Sequence, residues 1–238
     1  KRNIEATEAK LKHLEGHQLV SEPKSVGYVA TGYADLDKML YGGIPSGCAV
    51  VLTSLSCSER DLLVKSFLET GAKREEVTFY VTINPGSAKT LAENFRANFR
   101  LIVCNPQADA IIKSAPNVFK SKGVENLTDI SIALTSTVHK LDASLKSPRR
   151  ICISLVSDVL LQHHAVQTRR WLAGLIPELQ SEGFTTMAVM DQDMHPPQEV
   201  RAILDLFDGE ISIREKETER GIEKFIKVKK ISNAKYID

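Results

Sequence analysis

The sequence predicts an α/β protein: a mostly parallel central sheet with helices on both faces, ending in an antiparallel hairpin. Three observations carry this. Short, near-continuous apolar runs rich in Val and Ile recur along the chain, as strands buried on both faces require. Helix-like stretches alternate with these runs, which is the pattern of a parallel sheet joined by crossover helices. After Asp208-Gly209 the period changes to two, in "EISIRE" and "EKFIKVKKI" around "KETERG", and that alternation reads as a hairpin.

Taken in order, the first element expected is a helix. Lys1 to His17 is mostly polar, with Ile4, Leu11 and Leu14 on one stripe and Thr7 in the gap, a spacing that suits an amphipathic helix. Gly16 and the loop through Pro23 follow, so residues 1–22 read as a helix and linker and 23–238 as one domain. Strands are expected at Cys48–Leu52, Val77–Ile83, Leu101–Cys104, Ile151–Val156 and Thr186–Met190. Helices are expected near Arg60–Ala72, Ala88–Asn98, Thr128–Leu145, Ala165–Glu182 and Pro197–Phe207. Ser114–Gly123 reads as a loop. There is no internal repeat.

The 238 residues are 42% hydrophobic and 26% charged, ordinary values for a soluble globular chain with a sizeable core. A net charge of +1 gives no bulk electrostatic reason to expect a nucleic acid or an acidic membrane as partner. Cys48, Cys57, Cys104 and Cys152 form no CxxC pair and read as free thiols in a reducing, cytoplasmic setting rather than as disulfides or zinc ligands. No apolar stretch approaches the roughly 18 residues of a membrane helix.

"VVLTSLSCSERDLLVKSFL", Val50 to Leu68, has the outline of a phosphate-binding turn: apolar strand, small-residue loop, helix. Its flanks point to a family. "TGYADLDKMLYGGIPSGCAVVLTS" resembles the lead-in segment of the KaiC-like branch of the RecA superfamily of ATPases, matched at Thr31, Gly32, Leu36, Asp37, Leu40, Gly42, Gly43, Ile44, Pro45 and Gly47. "VTFYVTINPGSAKTL" is similar to its second strand and "NLTDISIALTSTVHKL" to its central helix. "HPPQEVRAILDLFDGEISIRE" and "FIKVKKIS" resemble its C-terminal strands. The resemblance covers roughly Val26 to Tyr236 and implies a RecA-like P-loop NTPase fold.

It also implies a phosphate loop of the form G-x-x-x-x-G-K-[ST], whose glycines admit backbone N–H groups to phosphate, whose lysine meets β/γ oxygens and whose hydroxyl holds magnesium. Aligned without a gap, those positions read "SLSCSERD". Ser54 and Glu59 stand for the glycines, Arg60 for the lysine and Asp61 for the hydroxyl residue, with Cys57 and Ser58 between. A carboxylate about 4 Å from a phosphate charge repels it by roughly 4 kcal/mol at a surface-like dielectric. Carboxylates do suit a helix start, so Glu59 and Asp61 would take the positive end that a phosphate uses. The magnesium-positioning Asp that ends the Walker B strand falls at Ser154, with Asp158 four residues late on the next helix. The water-activating glutamate pair aligns with Asn84 and Pro85, and an amide is no base at neutral pH.

The pattern therefore predicts a pseudo-ATPase with no catalytic residue, no metal and no cofactor, ATP and magnesium binding weakly if at all. Its expected partner is a protein: another copy, or an active ATPase paralogue. Divergent ATP binding through Arg60 and a recombinase-like DNA-binding role are the alternatives. His163 and His164, with Asp191, Asp193 and His195, offer metal-ligand types, against a plainer reading as loop histidines on the rim. "PRRI" and "TRRW" carry adjacent arginines. Arg169 and Arg170 beside Trp171 suit base stacking or, more simply, the wet face of a helix. "KFIKVKK" reads as an edge hairpin with one wet face.

Overall fold

A computed structural model describes residues 27–141, 147–218 and 221–237. The expected N-terminal helix lies outside these residues, as do Glu219 and Arg220 of the turn at "KETERG".

The lead-in comes first. β1 (Tyr28–Val29) pairs antiparallel with β2 (Ile44–Pro45), and α1 (Ala34–Met39) lies between them in sequence. One carboxylate organises this segment. Asp37 Oδ1 accepts from the Thr31 amide and hydroxyl, each at 2.7 Å, and Oδ2 accepts from the Gly32 amide at 3.1 Å. Gly43 is required by close approach: at φ 133° a Cβ there would lie 2.3 Å from the Val29 carbonyl oxygen.

The central sheet has eight strands. They are β3 (Ala49–Thr53), β4 (Val77–Thr82), β5 (Phe99–Cys104), β6 (Val118–Ser121), β7 (Arg149–Ile153), β8 (Phe184–Met190), β9 (Gly209–Thr218) and β10 (Gly221–Ile231). Their order is β10-β9-β3-β8-β7-β4-β5-β6. β10 is antiparallel to β9, and every other pairing in this sheet is parallel. Successive residues of β3 feed opposite cores. Val50 and Leu52 pack with Leu63 and Phe67, while Ala49 and Val51 pack with Leu172 and Ile203.

One face is covered by α2 (Ser58–Lys73) and α3 (Ala88–Asn94), with the short α4 (Ala108–Ile111) packed beside them. The other is covered by α5 (Leu127–Val138), α6 (Val156–Ser181) and α7 (Pro197–Leu204). The hairpin is anchored at its start. Asp208 Oδ2 accepts from the Ala49 amide at 2.8 Å and from Gln180 Nε2 at 2.9 Å. Among the described residues no helix is long and apolar enough to cross a membrane. All four cysteines are free. Burial pushes the Cys104 thiol up to about 12 and raises that of Cys152.

Several boundaries differ from the sequence reading. Ser114–Gly123 is not all loop, because β6 lies within it and pairs with β5 from Leu101↔Val118 to Cys104↔Ser121. Its short run acquires strand character from an edge ladder, which local pattern does not display. The run Ile151–Val156 is strand only to Ile153, after which Val156 opens α6. That helix breaks at His164 (φ 55°, ψ 172°), so the expected Ala165 start is its second half. α5 stops at Val138, seven residues before the expected Leu145, although residues 142–146 lie outside the description. α3 stops at Asn94 and α7 at Leu204.

"PRRI" does not sit on a helix. Arg150, in β7, has 0% exposure. Its Nε donates to Glu76 Oε2 at 2.7 Å, Nη2 reaches the same oxygen, and Nη1 donates to the carbonyls of Ala30 and Phe67, both at 2.8 Å. The guanidinium carbon stands 4.8 Å over the Phe67 ring. A Cβ on Gly71 would lie 2.4 Å from Arg150 Cδ and from Thr78 Oγ1, so α2 carries a glycine in its interior to let the guanidinium pass.

Two substitutions test this joint. Glu76→Gln leaves a buried cation without its anion and is expected to destabilise the chain by about 3–5 kcal/mol. Gly71→Ala gains helix propensity of about 1 kcal/mol, yet with a Cβ 2.4 Å from two side-chain atoms the overpacking cost of about 2–3 kcal/mol should outweigh it, a net loss of about 1–2 kcal/mol. Urea midpoints of the full chain read both. A Gly71→Ala midpoint at or above that of the native chain would contradict the packing described.

Candidate functional site

In an open parallel sheet the ligand end lies beyond the C-terminal ends of the strands. Here β3, β4, β7 and β8 deliver Ser54, Thr82, Ser154 and Asp191 to one rim. A cavity of about 510 Å³ opens there, lined among others by Arg60, Asp61, Tyr80, Asn84, Ser154 and Asp158. The six phosphate-loop positions, Ser154 and Asn84 thus gather around one end of the sheet.

The loop closes on itself. The Ser54 amide donates to the Met190 carbonyl at 3.1 Å. Its hydroxyl donates to the Leu55 carbonyl at 2.8 Å and lies 3.5 Å from Cys57 Sγ. Cys57 is extended and Ser58 begins α2, two residues ahead of the expected start near Arg60, because Cys57 can supply the first helical carbonyl, which accepts from the Asp61 amide at 3.2 Å.

Glu59 turns away from the cavity to the hairpin. Its Oε2 accepts from Lys224 Nζ at 2.8 Å and from the Ser58 hydroxyl at 3.2 Å. The Lys224 ammonium, and after it the backbone N–H bond at the helix start, holds this carboxyl down at about 2. Arg60 folds back along the loop: Nη2 donates to Ser56 Oγ at 3.0 Å and stands 3.4 Å from Asp61 Oδ1.

Ser154 donates its hydroxyl to the Tyr80 phenol oxygen at 3.0 Å. Burial pushes the Tyr80 phenol up. Asn84 is exposed, and its Oδ1 accepts from the Gly86 amide at 3.2 Å, shaping the turn after β4. Asp158 lies on the first half of α6, and burial raises its carboxyl against the pull of His195 and Arg60. His195 is 8% exposed and its Nε2 is buried without a partner among the described residues. Burial lowers its pKa, opposed by Glu199, Asp191 and Asp158.

The metal-ligand types do not converge. His163 Nε2 sits 2.7 Å from the Val124 carbonyl oxygen, His164 forms the exposed kink of α6, and Asp191 Oδ1 accepts from the Asp193 amide at 3.1 Å. Among the described residues no group of three His, Cys, Asp or Glu side chains is placed to hold a metal. Trp171 is half-buried on the second core and donates Nε1–H to Ser131 Oγ at 3.0 Å. Arg169 reaches the Ala202 carbonyl and Arg170 is exposed, the wet-face arrangement. On the hairpin Lys224 meets Glu59, Lys229 meets Glu210, and Lys230 donates to the Phe207 carbonyl. Two participants escaped the sequence reading. Tyr80 is an apolar-run residue in "VTFYVT", and Lys224 is one of several hairpin lysines, so local pattern marks neither.

The family model described as ATPase: KaiC matches residues 29–236. No curated protein matches the chain.

The Glu59–Lys224 bridge gives a direct measurement. In the full chain the Glu59 carboxyl should titrate near 2, and Lys224→Met should move it up toward the ordinary carboxylate range, followed by carboxyl carbon shifts in NMR. The folded-state value lies below the unfolded one. The pair's contribution is therefore complete above the ordinary glutamate range and is lost as pH falls toward about 2. An unchanged Glu59 titration in the variant would show that Lys224 is not the cause.

Proposed function

The chain belongs to the KaiC family of ATPases, and on that premise we propose that it has given up ATP hydrolysis and serves as an assembly or regulatory module. One observation carries the reading: the charge at the head of α2. Asp61, beside Arg60, puts a carboxylate on the cavity side of the helix end where a phosphate would otherwise find N–H groups and a positive dipole, and Glu59, paired with Lys224, puts a second one on the hairpin side. The residues at this loop do not fit magnesium-bound ATP. A guanidinium replaces the compact ammonium, a carboxylate stands in the hydroxyl position, and Ser154, at the Walker B acid position, donates a hydrogen bond to the Tyr80 phenol oxygen. Asn84, at the catalytic-base position, supports a turn. We derive no hydrolytic step through them.

What remains is shape. The lead-in, the sheet and the hairpin are kept while the loop residues are altered, and the partner is read as a second copy or an active paralogue. A second reading has one observation in its favour. The cavity of about 510 Å³ is still open and is lined by Arg60 and Lys65, which suits residual binding of an anionic ligand. A DNA-binding role finds no support in a net charge of +1.

ATP turnover by the full chain should not exceed a no-protein control. Titration calorimetry should give millimolar affinity or weaker, about −4 kcal/mol. Micromolar binding would favour the second reading, and turnover would overturn the first. The triple change Glu59→Gly, Arg60→Lys and Asp61→Thr should recover binding without turnover while Ser154 and Asn84 remain. Light scattering over a concentration series tests assembly: a chain that stays monomeric and copurifies with no KaiC-family ATPase is not an assembly module.

A further inference from the structure

A second cavity, of about 730 Å³, opens at the other end of the sheet, where β4 and β5 begin. Its volume suits a small ligand, for which sites run roughly 300–1,000 Å³. The charged residues among its lining are Lys73, Glu75, Arg96, Arg100 and Lys140, four cations to one carboxylate. Lys73 has an anion of its own, Glu69 at 3.2 Å. Arg96 and Lys140 are exposed and meet no carboxylate among the described residues. Val77 and Phe95 give the cavity an apolar side. α2, α3 and α5 all end near here, and cations at the carbonyl ends of helices are ordinary. Arg100 goes further than that.

Arg100 is half-buried at the start of β5. Its Nη1 donates to the carbonyls of Arg96, Ala97 and Phe99 at 2.9, 3.1 and 3.2 Å. These bonds answer the turn after α3 and hold the guanidinium in place, yet they occupy one nitrogen. Nε and Nη2 carry no hydrogen bond among the described residues, so one edge of the fork is open. Arg150 gives the comparison within the same chain. Burial lowers the pKa of both arginines, but at Arg150 the Glu76 carboxylate opposes the shift, whereas at Arg100 no carboxylate does. A fixed, half-buried fork without its anion suits bidentate binding of a carboxylate or a phosphoryl group. One fork satisfies a carboxylate. A phosphoryl group has a further oxygen and a second charge, which the unpaired Arg96 and Lys140 can meet.

We propose that this second cavity binds the phosphate monoester of a small organic molecule, with the phosphoryl group on the open edge of Arg100, Arg96 and Lys140 adding charge, and the organic body against Phe95. The site stands at the opposite end of the sheet from the old phosphate loop. It is independent of whether that loop retains any nucleotide.

Titration calorimetry of the full chain, in phosphate-free buffer at low salt, tests this with phenyl phosphate as the organic probe and inorganic phosphate beside it. Phenyl phosphate should bind at one site, about tenfold or more tighter than inorganic phosphate, because the apolar side adds to the charge. Arg100→Met should weaken it about tenfold or more, as expected for the loss of charge-assisted hydrogen bonds. That change also releases three carbonyls, so a second variant, Arg96→Met with Lys140→Met, leaves them bonded. Both of its side chains are exposed, the fold survives their loss, and a fall of about tenfold is again expected. Absence of binding by the native chain, or equal affinity for the two probes, would overturn the proposal. So would a loss of binding in Arg60→Met with none in the double variant, which would put the phosphate in the first cavity.

Discussion

The Arg150 guanidinium, with no exposed surface, is where the described parts of this molecule are joined. Taking an ion pair out of water costs several kcal/mol per charge unless its partners are placed well. Here Glu76 supplies the anion, the carbonyls of Ala30 and Phe67 take further donors, and the Phe67 ring lies beneath the flat face. Those partners come from the lead-in, α2 and the turn before β4, while Arg150 itself belongs to β7. Burial pulls the arginine's pKa down and Glu76 opposes it. The glycine at position 71 of α2 is a consequence of this packing, since a methyl there would occupy the path of the arginine stem.

α2 is thus strung between two ion pairs of different character. Its C-terminal half is locked to the sheet by a buried pair, and its head is tied to the hairpin by the exposed Glu59–Lys224 bridge. An exposed pair adds little to stability, but it directs a side chain. It draws the Glu59 carboxylate outward and links the loop of residues 54–57 to β10. The charge at the head of the helix and the position of the hairpin are for that reason one feature.

The lead-in motif is likewise a device of shape. Asp37 ties the Thr31–Gly32 turn through three hydrogen bonds, and Gly43 lets β2 lie against β1. None of these groups needs a nucleotide to be useful. Core strands such as β3 are fully buried, whereas the positions that align with the family's motif residues sit on loops, strand ends and the first turn of α2, where side chains change without emptying the core. Burial raises the carboxyl of Asp158, which lines the cavity, and lowers the imidazole of His195. Both shifts favour the neutral forms, and the mutual attraction of the two groups resists them.

The sequence by itself determined the fold class, the places of the main strands along the chain and the closing hairpin, because apolar period and the lead-in motif are local properties of the chain. Alignment with the family pattern singled out Ser54, Glu59, Arg60, Asp61, Ser154 and Asn84, and the path of the chain brings them to one end of the sheet. Tertiary structure alone decided what depends on a distant partner. β6 is a strand because β5 offers an edge. Arg150 is interior because Glu76, from a position 74 residues earlier, reaches it. Glu59 faces away from the cavity because Lys224, 165 residues later, attracts it. His163 and His195, both metal-ligand types by sequence, do not join in a metal site among the described residues: His163 meets the Val124 carbonyl, and His195 Nε2 is buried without a partner. Pairing and charge neutralisation across such separations are set by the path of the chain in space, and residue spacing does not encode them.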